Sequence, residues 1–157
     1  MKTTLANIIE PALRILPPMM DSDAARAMLL AIGMQESRLT HRKQIGGPAM
    51  GLWQFEKGGG VAGVLRHPRT SHWAKDVCWK LGNAGTVDSV YHQLASDDVL
   101  AACFARLLLW TLPGALPTRD DVDGAWDQYT AAWRPGKPHR HTWDDFYREA
   151  WEVVCDA

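Results

Sequence analysis

An excess of charge of one sign is missing from this chain: 17 Lys and Arg stand against 18 Asp and Glu, a formal net charge of −1 at pH 7. A protein that neutralises many phosphates needs a basic surplus, so neither nucleic acid nor an anionic membrane surface is expected as a partner. Long hydrophobic runs are missing as well. None approaches the roughly 20 apolar residues that cross a bilayer, so no stable membrane insertion is expected. The apolar stretch at the N-terminus is broken by Asn7 and Glu10, which leaves no signal-peptide core. The chain is therefore expected to be made in the cytoplasm, and a substrate beyond the inner membrane would require delivery by another component.

Cysteine is sparse. Cys78, Cys103 and Cys155 are odd in number, match no metal-ligand spacing and lie in apolar sequence, as reduced core cysteines do; one disulfide stays open. The six histidines form no His-Glu-x-x-His or similar pair, so no metal or other cofactor is expected. His139 and His141 flank Arg140 in what reads as a solvated polar loop. The basic clusters Arg42–Lys43 and Arg134–Arg140 read in the same way. Phe and Tyr are scarce at three each, whereas Trp reaches eight. Such a bias suits a core with several indoles, and it also suits a cleft that stacks on the flat apolar faces of sugars.

The length of 157 residues fits a single domain with one core, over 1–157. Periodicity and punctuation predict short helices throughout. The first runs from Thr4 to Leu16 and stops at Pro17-Pro18. The second is capped by Asp21 or Ser22 and runs to Ser37. Gly58-Gly59-Gly60 reads as a flexible break, with a short helix after it to Arg66. Thr70 or Ser71 opens the next, ended by Gly82, and Thr86 opens another to Ala95. Ser96, Asp97 and Asp98 open a strongly apolar helix to Thr111. Asp120 or Asp121 opens one to Trp133, and Thr142 opens the last, with Asp144 and Asp145 in its first turn. The fold class is mostly α, with room for a small β-hairpin between Leu39 and Phe55.

One carboxylate stands out. Ala25, Met28, Leu29 and Ile32 follow the i, i+3, i+4, i+7 rule of a buried helix stripe. At 100° per residue, Glu36 falls about 20° from Leu29 and about 40° from Ile32. It thus continues the stripe in the last turn, near the negative end of the helix dipole. Lost hydration and the dipole both raise a carboxyl pKa. A glycosidase acid needs this, since it must hold a proton near neutral pH and donate it to a glycosidic oxygen. The alternative is a Glu bonded to Arg38 or to backbone, or turned into solvent.

The segment Gln35-Glu36-Ser37-Arg38, a loop of about a dozen residues, then Gly51-Leu52-Trp53-Gln54-Phe55, resembles lytic transglycosylases and goose-type lysozymes. Their signature is a Glu-Ser pair ending a helix, followed by Gly-Leu-Met-Gln. The stretch from Gly51 to Gly60 is also similar to muralytic proteins of tailed bacteriophages. The resemblance implies a lysozyme-like domain that cleaves the β-1,4 link between N-acetylmuramic acid and N-acetylglucosamine in peptidoglycan. Glu36 would act as acid and then base. Ser37, Gly51, Trp53 and Gln54 would meet the substrate, with Trp53 in place of the usual Met. A late family motif, Ala-Tyr-Asn-x-Gly, finds its nearest match at Gln128-Tyr129-Thr130, where the Asn is missing; it implies that Tyr129 reaches the acid. An ordinary half-buried tyrosine is the alternative. A phage-type role further implies action in the periplasm or cell wall, as an endolysin delivered by a holin or as an enzyme carried in a virion.

Two chemistries remain open. In transglycosylation the muramic C6 hydroxyl attacks the anomeric carbon and leaves a 1,6-anhydro end, so one Glu suffices. Hydrolysis by inversion needs a second carboxylate roughly 6.5–9.5 Å away to hold water. Glu56 occupies the place of a goose-type Asp and is the candidate; the alternative, which the adjoining Lys57 favours, is a solvated loop residue. No Asp or Glu occurs from Leu39 to Met50, which favours transglycosylation. A glycan-binding or structural phage protein that kept the fold is a third reading, and it would not need Glu36.

Overall fold

The computed structural model describes residues 1–156 and is mostly helical. The N-terminal helix is continuous from α1 (Lys2–Thr4) through a π-helical turn (Leu5–Ile9) to α2 (Glu10–Ile15). Pro17 and Pro18 end it, and Leu16 is already extended at ψ 162°. The chain continues through α3 (Asp23–Ser37), α4 (Ala62–Arg66), α5 (Ser71–Lys80), α6 (Val87–Gln93), α7 (Asp98–Trp110), α8 (Val122–Trp133) and α9 (Arg140–Cys155).

Side-chain caps explain four of the starts. Ser22 accepts from the Ala25 amide, Thr86 from Ser89, Asp97 from Leu100 and Asp121 from Gly124. One expected cap is not made and one expected start differs. Thr70 precedes α5, but its hydroxyl donates to the Val64 carbonyl. The last helix begins at Arg140, two residues before Thr142, because Thr142 Oγ1 turns instead to the Gln35 side chain. Asp144 and Asp145 therefore lie beyond the first turn, and Arg140 and His141 belong to the helix, not to a solvated loop.

Central helix α7 is buried from Leu100 to Leu109 and reads apolar on every side, as a helix surrounded by others must. The one charged residue within that buried stretch, Arg106, is sheathed: Nε donates to the Met20 carbonyl at 2.8 Å, the guanidinium lies 5.3 Å from the Trp110 ring, and burial lowers its pKa to about 10. Helix α9 buries Trp143, Tyr147, Ala150, Trp151 and Val154, one face at helical spacing, and lies along α3. One contiguous core joins these helices from Leu5 to Val154.

Strand content is confined to two isolated antiparallel bridges, Lys43 with Met50 and Met50 with Phe55. No extended hairpin forms among the described residues. Gly58-Gly59-Gly60 is not a flexible break: it lies in a π-helical turn, Lys57–Val61, that feeds α4. Gly60 is needed there because an added Cβ would fall 2.1 Å from the Phe55 ring. Cys78 and Cys103 are buried, Cys155 is exposed, and all three are free thiols. No described helix is long and apolar enough to cross a membrane.

Candidate active site

Helix α3 ends one residue after the apolar stripe delivers Glu36. Arg38 adopts a left-handed conformation (φ 57°, ψ 22°), and the Leu39 amide reaches back to the Gly33 carbonyl at 3.2 Å. The Leu39 side chain then covers Gly33, where a Cβ would sit 2.2 Å from it. This wrap closes the helix and leaves Glu36 partly buried, on the wall of a cleft of about 970 Å³.

The Glu36 carboxyl is not paired with Arg38, whose Nη1 donates to the Met34 carbonyl at 2.7 Å and whose guanidinium lies over Phe146. Its partner is Tyr129, whose hydroxyl donates to Oε1 at 2.7 Å. Burial drives the Glu36 pKa from 4.5 up to about 7, and the tyrosine bond opposes part of that rise. The Tyr129 hydroxyl is pushed upward by burial and by the neighbouring carboxylate, so it stays protonated and can only donate. The result is a carboxyl that keeps its proton near neutrality, oriented through Oε1, with Oε2 free of donors from the described residues.

Tyr129 is held by aromatic neighbours. It stacks on Trp143 at 5.0 Å and 9°, and Trp126 and Trp133 lie 5.6 and 6.2 Å away. Helix α8 supplies Trp126, Tyr129 and Trp133 at the i, i+3, i+7 positions, and α9 supplies Trp143. The tryptophan excess thus goes largely into positioning and core: Trp53, Trp143 and Trp151 are buried, and of the eight only Trp133 lines the cleft.

The Gly51–Phe55 segment lies behind the wall more than in it. Ser37 is buried and its hydroxyl donates to the Leu52 carbonyl at 2.6 Å, tying the end of α3 to this segment. Gly51 has φ 79°, and a Cβ there would meet the Leu94 carbonyl at 2.9 Å, so the glycine serves a close backbone approach to the end of α6. Trp53 is fully buried and donates from Nε1 to the Leu29 carbonyl at 2.8 Å. Its own carbonyl accepts from Trp133 Nε1, also at 2.8 Å. These three residues were expected to meet substrate; instead Ser37 and Trp53 brace α3 and α8 from behind the cleft, and Gly51 packs against the end of α6. Gln54 does line the cleft, in a left-handed conformation (φ 52°), with its amide donating to the Gly51 carbonyl at 2.9 Å. Glu56 also lines it, exposed, at the start of the π-helical turn. Lys57 pairs with Asp88 and not with Glu56.

Sequence reasoning missed Gln35. Its amide donates to the His139 carbonyl at 2.9 Å and its oxygen accepts from Thr142 Oγ1 at 2.9 Å, which fastens the segment before α9 beside Glu36. Its place directly before Glu36 in the motif was the available signal. Among the described residues no group of three or more His, Cys, Asp or Glu could hold a metal ion.

Comparison with family models, curated proteins and solved structures found no match to this chain.

The site therefore stands on its own chemistry. A carboxyl that keeps its proton up to about neutral pH, a tyrosine that orients it and a second carboxylate on the same open cleft form an arrangement able to donate a proton to a bound ligand.

Proposed function

We propose that this protein cleaves the β-1,4 link between N-acetylmuramic acid and N-acetylglucosamine in peptidoglycan, with Glu36 as general acid and then base. The observation that carries the reading is the Glu36 carboxyl, raised to about 7 by burial and held at 2.7 Å by Tyr129 on the wall of an open cleft. Its motif context, from Gln35 to Phe55, supplies the substrate class.

The reaction that needs fewest groups is lytic transglycosylation. Glu36 gives its proton to the glycosidic oxygen as the bond to the anomeric carbon breaks. The muramic C6 hydroxyl then attacks that carbon and returns its proton to the Glu36 carboxylate. No water is consumed, and the product carries a 1,6-anhydro end. Tyr129, bonded to Oε1, steadies the transient carboxylate. Site of action follows from substrate: the cell wall, reached as an endolysin or as part of a virion.

A second reading, hydrolysis, has one observation in its favour. Glu56 shares the cleft and sits at the start of an ordered helical turn, not on a loose glycine loop. Mass spectrometry of a digest separates the two, because an anhydro end is one water lighter than a reducing end. The expected result is anhydro ends, with Glu56→Gln keeping most of the activity. Reducing ends, with Glu56→Gln nearly as inactive as Glu36→Gln, would replace transglycosylation with hydrolysis.

A further inference from the structure

The cleft carries a charge that the whole chain does not. Three cations line it, Lys43 from the loop before Gly51 and Arg134 and Lys137 from the segment between α8 and α9. None of the three has an ion pair among the described residues, so their charge is not cancelled by a neighbouring side chain. Against them the cleft holds two acids, Glu36 and Glu56, and Glu36 is protonated below about pH 7. The chain as a whole has a net charge of −1. A basic groove on a nearly neutral protein is therefore a local arrangement, not a consequence of composition.

The backbone around these cations is built with care. Arg134 caps α8 in a left-handed conformation (φ 49°, ψ 55°), a position where a residue without a Cβ, or Asn, would be less strained. Its amide still donates to the Thr130 carbonyl at 2.9 Å. At the far end the segment is fastened by Gln35, which holds the His139 carbonyl. On the other side of the motif, Arg42 is engaged in a two-point pair with Asp98, at 2.8 and 2.7 Å, which holds the loop while leaving neighbouring Lys43 unpaired. Both segments are solvent-exposed, as the sequence suggested, but they are tied at these points, one bringing Lys43 and the other Arg134 and Lys137 to the same cleft.

We propose that Arg134 and Lys137, with Lys43, are specificity-determining residues that bind carboxylates on the substrate, so that the cleft selects acidic, peptide-bearing glycan strands over neutral N-acetylglucosamine polymers. The inference rests on the muralytic reading and names which form of the polymer the site takes. Carboxylates of the peptide stems meet these side chains as exposed ion pairs; the lactyl carboxyl is already tied up in the amide that joins the stem to the sugar. Each is worth little alone, but several along a strand add to about tenfold or more in affinity at low salt, and screening removes the gain.

The test is calorimetry with the Glu36→Gln chain, which binds without turnover. The two probes are chitohexaose, which is neutral, and a peptide-bearing glycan oligomer of the same sugar length. The acidic oligomer is expected to bind at least about tenfold more tightly at low ionic strength, with the gap closing as salt rises toward about 0.5 M. Arg134→Asn combined with Lys137→Glu removes the gap and leaves chitohexaose affinity unchanged, which also shows that the variant is folded. Equal affinity for the two probes overturns the inference while leaving the glycan-cleaving reading in place. A gap that survives the double substitution, or an equal loss for both probes, also overturns it. If neither probe binds, the muralytic reading falls together with it.

Discussion

Glu36→Gln is expected to abolish cell-wall clearing and at the same time to make the protein more stable above neutral pH. The loss follows from chemistry: Gln keeps the shape and still accepts the Tyr129 hydrogen bond, but it has no proton to deliver. Removing a general acid costs at least about 10²-fold in rate. The gain follows from linkage. Glu36 has a pKa of about 7 in the fold against 4.5 for an unperturbed carboxyl, so the folded state holds its proton more tightly. Between those values the folded chain binds more protons than the unfolded one, and stability falls as pH rises. Below 4.5 the contribution is fully present, and above about 7 it has been lost. Gln does not titrate, so the difference between variant and wild type should open across that window and level off at about 1–3 kcal/mol. Urea unfolding of both chains at pH 4, 6 and 8 measures it. A variant as active as wild type, or one less stable at pH 8, would contradict the role given to this carboxyl.

Trp53→Ala is expected to fail through the fold and not through the ligand. The indole is fully buried, its Nε1 bonds the Leu29 carbonyl at 2.8 Å, and the backbone beside it receives Trp133. Replacing it leaves a large cavity and removes the indole's bond to the Leu29 carbonyl, the tie that fastens this segment to α3. Losses of about 3–5 kcal/mol are usual for such a truncation. Denaturant unfolding should show a loss in this range, with the midpoint moved far to the left. Near-normal stability combined with weakened chitooligosaccharide binding would return Trp53 to the cleft surface, where its place in the motif first suggested it.

The contrast between Glu36 and Trp53 shows what a sequence of this kind discloses. Glu36 was legible because two local facts met at one position: an apolar stripe at helical spacing and the last turn before a stop. Caps were legible for the same reason, since Ser22, Thr86, Asp97 and Asp121 act within three residues of themselves. Trp53 was not, because a motif gives the order of residues and not which side of the backbone faces the cleft. Its indole turns inward to a carbonyl 24 positions earlier, a partner that local pattern does not announce. Ser37 turned inward likewise, to Leu52, and Gly51 answers to the backbone at Leu94. The glycine run at 58–60 misled in another way: glycine permits a loose loop, but here Gly60 permits close packing on Phe55. Tyr129 lay at the margin. The late motif pointed to it without its Asn, and what fixes its hydroxyl on Glu36 is an aromatic stack contributed by two helices.

The most direct measurement for the central claim is the release of soluble muropeptides from purified peptidoglycan by the wild-type chain as a function of pH. Cleavage requires the protonated form of Glu36, whose pKa is about 7. Release is predicted to be near its maximum below that value and to fall about tenfold for each further pH unit as the acid is lost. Absence of glycan fragments at every pH, or release that climbs steadily from pH 7 to 9, would contradict it.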